Sequence, residues 1–275
     1  MNRNFYIPNQ SHTTRPKGPT NSKTMKKSLF SLIVFSLFFS LSLQAQWKQY
    51  NPNPNNDPAN ASKELLNPTN HVLLMIDHES QMAFAVESQP IEELRNNSGL
   101  VAATAKIYEV ATVITTVAEK SFSGPVFPEI REYFPNSEEY IDRTTMNSWE
   151  DTRVVEAVGA FEKPKLVIAG LWTEVCVLTA ALSALEDGYD VYVITDASGG
   201  ISQEAHDMAI ARMIQAGVKP VTSLQYLLEI HRDWARSDMY LEVLKVSKKY
   251  GGAYGLGIDY IKTMTEWMQE GEGNH

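Results

Sequence analysis

The chain has 275 residues, 43% of them hydrophobic, with 24 Lys and Arg against 33 Asp and Glu and a formal net charge of −9. That acidic balance argues against nucleic acid and anionic membrane surfaces as partners. Its single cysteine, Cys176, excludes an internal disulfide and leaves a thiol that is intermolecular, inert or reactive.

Residues 1–24 are polar and unpatterned, and read as an extension upstream of a true start at Met25. Met25-Lys26-Lys27 is basic, Ser28 to Leu43 is apolar, and Leu43-Gln44-Ala45 is a cleavage-like end. This is the anatomy of a secretory signal peptide over residues 25–45, with an apolar core short of the ~20 residues of a membrane span. The expected location is periplasmic or secreted, with no membrane contact after cleavage. Removing residues 1–45, which hold six basic and no acidic side chains, leaves 18 basic against 33 acidic, a net charge of −15. Residues 46–70 are rich in Asn and Pro and read as a linker or arm.

From His71 apolar runs alternate with helical patterns. Strands are expected at Val72–Ile76, Thr112–Thr116, Tyr140–Ile141, Lys165–Ala169, Asp190–Thr195 and Lys219–Thr222. Helices are expected at Glu92–Val110, Asp151–Phe161, from a Thr173 N-cap through Leu185, and at Leu224–Trp234. This alternation predicts an α/β domain over residues 71–234, with a mostly parallel sheet of about six strands and helices on both faces. Residues 235–275 read as a helical extension, Met239–Tyr250 and Ile258–Met268, split by Gly251-Gly252 and Gly255. Their apolar content calls for another surface to bury against, which suggests a homo-oligomer interface.

Ligands of an open parallel sheet bind beyond the C-terminal ends of its strands. Asp77 follows the first strand, Arg143 the third, and Cys176 opens the helix after the fourth. With Thr173 as N-cap, Cys176 is the third helical residue, where free amides and the helix dipole favour a thiolate. A carboxylate, a cation and a thiol in one crevice form a working nucleophilic set. Each also has a plain alternative: a turn-forming Asp, a surface Arg, a buried small Cys.

Four segments carry a resemblance. They are Val72-Leu73-Leu74-Met75-Ile76-Asp77-His78, Ala169-Gly170-Leu171-Trp172-Thr173-Glu174-Val175-Cys176-Val177, Ala181-Leu182-Ser183-Ala184, and Val193-Ile194-Thr195-Asp196-Ala197-Ser198-Gly199. From about Asn70 to Trp234 the chain resembles the isochorismatase-like cysteine hydrolases, in their YcaC-like branch. The resemblance implies a three-layer αβα fold, Cys176 as nucleophile and Asp77 as general base. The family's usual Lys is Arg143 here, at the head of Arg143-Thr144-Thr145-Met146-Asn147-Ser148-Trp149, as in the YcaC-like branch. Arginine holds charge and orients but does not exchange protons at ordinary pH.

The resemblance further implies a non-proline cis peptide within Leu171-Trp172-Thr173, and an oxyanion site built from backbone N–H groups of Trp172, Thr173 and Cys176. Nicotinamidases of this fold bind metal through an Asp-x-His…His group. Residues 118–133 contain no His, so neither metal nor other cofactor is expected. YcaC-like proteins form ring-shaped assemblies, which again suggests a homo-oligomer.

The expected activity is hydrolysis of a small amide or related acyl compound through a thioester. Alternatives are isochorismatase-type chemistry, a non-catalytic oligomeric scaffold or binding protein, and a redox-sensing thiol. Candidate pocket residues are Glu119, Phe84, Phe122, Trp149 and Trp172, each with solvated or core-packing alternatives. His78 and His231 read as structural, the latter also as an interface residue, and Glu174 as stabilising a helix start.

Overall fold

A computed structural model describes residues 58–272. The expected extension 1–24, the signal peptide Met25–Ala45, residues 46–57 of the arm and residues 273–275 lie outside the described residues. In chain order the regular elements are β1 (His71–Ile76), α1 (Ile91–Ile107), β2 (Ala111–Val117), α2 (Pro128–Arg131), β3 (Ile141–Arg143), α3 (Thr152–Gly159), β4 (Lys165–Gly170), α4 (Leu178–Glu186), β5 (Asp190–Ile194), α5 (Gln203–Ala216), β6 (Lys219–Val221), α6 (Ser223–His231), α7 (Tyr240–Tyr250) and α8 (Gly252–Glu272).

The six strands form one sheet in the order β3-β2-β1-β4-β5-β6, and every neighbouring pair is parallel. Side chains of a strand alternate between faces, and β1 shows the consequence. Leu73 and Met75 join one apolar layer with Leu94, Val101 and Tyr226, whereas Val72, Leu74 and Ile76 join the other with Val154, Ala181 and Met213. Both faces being covered, all six residues of β1 and all six of β4 are buried. This is why these strands read as continuous apolar runs without alternation.

The strand order reverses between β1 and β4, and a crevice opens at such a switch point. The two strands come very close there. Ile76 pairs with Gly170, and a Cβ on Gly170 would lie 2.4 Å from the Ile76 carbonyl oxygen. Glycine is the residue that lets the strand ends meet.

Several boundaries differ from expectation for local reasons. α1 stops at Ile107, because the chain turns through Glu109 (φ 53°) to bring Val110 into the core. α3 starts at Thr152, with the Asp151 carboxylate accepting the Arg153 amide, and ends at Gly159. α6 ends at His231, because Arg232 takes φ 64°, which leaves Trp234 outside the helix. β3 is Ile141–Arg143, so Arg143 is its last residue and does not follow it.

The ordered fold also begins before His71. Leu66 is fully buried, its amide donates to Glu229 at 2.7 Å, and Lys165 Nζ donates to the carbonyls of Lys63, Glu64 and Leu65.

The expectation that residues 239–250 need another subunit is corrected. α7 lies on the chain's own α1, with Val243 and Val246 buried and Asn96 donating to the Tyr250 carbonyl at 2.5 Å. Gly99 of α1 permits the contact, since a Cβ there would lie 2.6 Å from the Tyr250 ring. α8 runs unbroken through Gly255 and leaves Leu256, Tyr260 and Ile261 exposed. Among the described residues, no helix is long and apolar enough to cross a membrane.

Candidate active site

β1 leaves the sheet at Asp77, whose φ of 53° turns the chain away after its amide has donated to the Thr115 carbonyl at 3.0 Å. The Asp77 carboxylate therefore sits at the switch point. Its Oδ1 accepts from Thr115 Oγ1 at 3.3 Å, and its Oδ2 accepts from Arg143 Nη2 at 2.6 Å. Arg143 reaches it from the end of β3 and is held on its other side by the Thr145 carbonyl, while its Nε has no protein partner. The Cys176 thiol is the third group beside Asp77, near enough for each to shift the other's proton affinity. Asp77, Arg143 and Cys176 are 0%, 2% and 1% exposed. Three residues from three separate strand ends thus meet in one buried cluster.

The local geometry of Cys176 differs from expectation. Thr173 does not cap a helix. Its amide donates to the Gly199 carbonyl at 2.9 Å, and its Oγ1 pairs with His206 Nδ1 at 2.8 Å. Thr173–Val177 instead forms a wide turn, closed by the Val177 amide on the Trp172 carbonyl at 3.3 Å, and α4 begins only at Leu178. The peptide bond Leu171–Trp172 is cis. The Trp172 amide faces the Cys176 sulfur, but the Thr173 amide is engaged elsewhere and is withdrawn from the oxyanion set.

The electrostatics also correct the expected standing thiolate. Burial, with the Asp77 charge second, pushes the Cys176 thiol up to about 12, against the opposing pull of Arg143 and the Trp172 amide. Burial likewise raises Asp77 to about 6, while Arg143 and the thiol pull it down. At neutral pH the resting pair is a neutral thiol beside a carboxylate.

The remaining candidates separate. His78 is buried and donates from Nε2 to the Ala197 carbonyl at 2.9 Å, with its ring edge-on to Phe127. Burial lowers it to about 4, so it is a neutral structural side chain. Glu174 accepts the Ile201 amide at 3.0 Å, tying the Cys176 turn to the start of α5. His231 is buried between Tyr108, 2.7 Å from its Nδ1, and the Trp234 ring.

Trp172 is half-buried, and its indole donates to the Met82 carbonyl at 3.0 Å, bridging the loops after β1 and β4. Glu119 is half-buried after β2, its amide on Asp142 Oδ1 at 3.1 Å. Phe84 and Phe122 are 86% and 65% exposed. Trp149 is buried in the same apolar layer as Cys176. Its indole donates to Asp187 Oδ2 at 2.6 Å beyond the far end of α4, and its ring stands edge-on to Tyr189.

Sequence reasoning missed Glu79, which is fully buried two residues past Asp77, with Oε2 on the Val117 amide at 2.9 Å. A carboxylate so soon after a strand end was the available signal. It missed His206 too, since a lone His on α5 carries no sequence mark of its bond to Thr173. Among the described residues, no cluster of three or more His, Cys, Asp or Glu is placed to hold a metal ion.

Residues 71–225 match the isochorismatase domain family. The probable hydrolase YcaC of Escherichia coli K12 is 38% identical over 168 residues, covering 61% of this chain and 80% of that protein. The structure of YcaC from Pseudomonas aeruginosa, with hexane-2,5-diol and covalent acrylamide, is similar with a TM-score of 0.68 at 34% identity, over 74% of this chain and 99% of that one. The structure of Escherichia coli YcaC, described as an octameric hydrolase of unknown specificity, is similar with a TM-score of 0.69 at 34% identity and the same coverage. With more than half of its length in that domain and this identity to YcaC, the chain belongs to the isochorismatase family, in its YcaC-like branch, and is a hydrolase of that family.

Proposed function

We propose that this hydrolase cleaves a small amide or related acyl compound through a thioester on Cys176. The observation that carries the reading is the convergence of a buried Cys176 thiol on a buried Asp77 carboxylate that Arg143 ion-pairs at 2.6 Å. Amide hydrolysis is the typical reaction of the family, and the covalent acrylamide of the Pseudomonas relative supports a reactive nucleophile in this fold.

With a thiol raised this far by burial, the proton leaves sulfur as the C–S bond forms. Cys176 Sγ attacks the carbonyl carbon while Asp77 takes the thiol proton. The new oxyanion is met by the Trp172 and Cys176 backbone amides. Asp77 then passes its proton to the leaving nitrogen as the C–N bond breaks. Water attacks the thioester, Asp77 removes a proton from it, and the acid and the free thiol are released. Arg143 keeps its proton throughout and orients Asp77.

We also propose that the chain is exported by way of Met25–Ala45 and assembles as a homo-oligomer. The octameric state of the Escherichia coli relative supports the assembly.

The test is intact-mass trapping of an acyl adduct on the purified mature chain, with a panel of small primary amides. An adduct on the wild type, absent in Cys176→Ala and slowed in Asp77→Asn, is expected. Turnover that persists in Cys176→Ala would move the chemistry to an isochorismatase-type reaction that does not use the thiol.

A further inference from the structure

Glu79 occupies a place that the strand itself vacates. β1 pairs with β2 through Ile76 and Thr115, and Asp77 adds one more bond, from its amide to the Thr115 carbonyl. Asp77 then turns away, so no β1 carbonyl reaches the next donor of β2, the Val117 amide. Glu79 Oε2 takes that amide at 2.9 Å and continues the ladder with a side chain. The Glu79 amide meanwhile donates to the Asp77 carbonyl at 2.7 Å, and Glu79 bridges to Val126 in antiparallel sense. Glu79 thus clamps the turn that presents Asp77.

The carboxyl is fully buried, and its Oε1 has no partner. The charged groups around it are nearly all acidic: Asp77 at the end of β1, Glu119 after β2 and Asp142 on β3. The cation beside Asp77, Arg143 on β3, is committed to Asp77 and the Thr145 carbonyl. His78, between the two acids in sequence, faces Ala197 and is neutral. A buried carboxylate among three others and without an ion pair is costly, so the group keeps its proton.

We propose that Glu79 is a positioning residue that works as the neutral acid, holding the Val117 amide in place of a strand carbonyl and so fixing Asp77 against Cys176. This rests on the reading of Asp77 as the base for Cys176. Ionisation of Glu79 sets a second carboxylate against Asp77 within one turn and forces the clamp apart, which gives the site an alkaline limit. Burial, chiefly, raises Glu79 to about 8, which puts that limit just above neutral pH.

Acrylamide is a suitable probe because it needs no known substrate. The rate of its addition to Cys176 is read by intact mass in the mature chain, for wild type, Glu79→Gln, Glu79→Ala and Asp77→Asn, from about pH 6 to 9.5. Glutamine keeps an acceptor for Val117 and has no charge to gain. The ratio of the Glu79→Gln rate to the wild-type rate is expected to climb by up to about tenfold per pH unit above pH 8, and Glu79→Ala to react more slowly than Glu79→Gln throughout. The ratio cancels the ordinary titration of the thiol.

A protonated-carboxyl infrared band present at pH 7, lost at alkaline pH and absent in Glu79→Gln, is the independent signature if Glu79→Ala does not fold. A ratio that stays flat with pH, while Asp77→Asn still slows the reaction, overturns the role of Glu79 alone. An Asp77→Asn rate equal to wild type removes the base, and the role of Glu79 falls with it.

Discussion

Arg143 Nη2 lies 2.6 Å from Asp77 Oδ2, and neither side chain is exposed to solvent. Removing one partner from such a pair strands a charge, whereas the intact pair adds little net stability. Arg143→Ala is therefore expected to lower unfolding stability by about 3–5 kcal/mol. It should also slow alkylation of Cys176, because Asp77 then holds its proton more tightly. Arg143→Lys should fall between the two, keeping the charge but not the second hydrogen bond to the Thr145 carbonyl. Denaturant unfolding and alkylation rates on the three proteins check this. Equal behaviour of Lys and Ala would mean that the planar fork matters and the charge does not.

The reactivity of Cys176 should follow Asp77 and not its own ionisation. Above about pH 6 Asp77 is free to accept the thiol proton, so the iodoacetamide rate should rise through that pH. Asp77→Asn should abolish this limb and leave only a rise well above the ~8.5 of a free cysteine. A single midpoint near the free-thiol value in the wild type would count against the pair.

The stability that Glu79 contributes should fall from pH 6.5 to pH 8. Glu79 is raised above its unfolded value of 4.5 to about 8, so the folded state holds a proton that the unfolded chain has released. The stability this proton brings is full below 4.5 and is lost as pH rises toward 8, by at most about 1.4 kcal/mol per unit. Asp77 adds the same trend below about 6. The buried neutral His71 and His78, both lowered to about 4, and His206 and His231, also lowered by burial, oppose it from acid pH through 6.5 and fade out over the next unit. These histidines act alike in wild type and Glu79→Gln, so the difference between the two proteins isolates Glu79. The denaturation midpoint of the wild type should fall relative to that of Glu79→Gln between pH 6.5 and 8.

Trp149→Phe should cost stability and leave the thiol alone. The buried indole loses its bond to Asp187, a loss of about 1–3 kcal/mol, while the ring stays on Tyr189. Alkylation of Cys176 at an unchanged rate in a less stable protein is the expected result. A changed rate would return Trp149 to the pocket.

Truncation after Trp234 should destabilise the monomer fold before it disturbs any assembly. It removes Val243, Val246 and Tyr250 from the face of α1. Light scattering alongside thermal unfolding separates the two effects. An unchanged melting temperature with a smaller particle would put the interface on α7 and α8.

Much of this molecule is written locally. The apolar runs of β1 and β4 specify buried strands, because both faces of a parallel sheet are covered. Asp77, Arg143 and Cys176 stand at or just beyond strand ends in the sequence, and parallel strands all end on one side, so their meeting was legible. The spacing around Gly170 and Cys176 carried the family.

Tertiary structure decided what depends on partners distant in sequence. Thr173 looks like a helix cap until His206, from α5, takes its hydroxyl and Gly199 its amide. Trp149 looks like a pocket wall until Asp187 claims its indole. Residues 240–250 look unpartnered until Gly99 lets α1 receive Tyr250. The protonation of the site belongs to this class as well. A helix-start cysteine suggests a thiolate, but desolvation reverses the sign once Cys176, Asp77 and Glu79 are buried together. Burial is set by the whole fold and by no single stretch of the sequence.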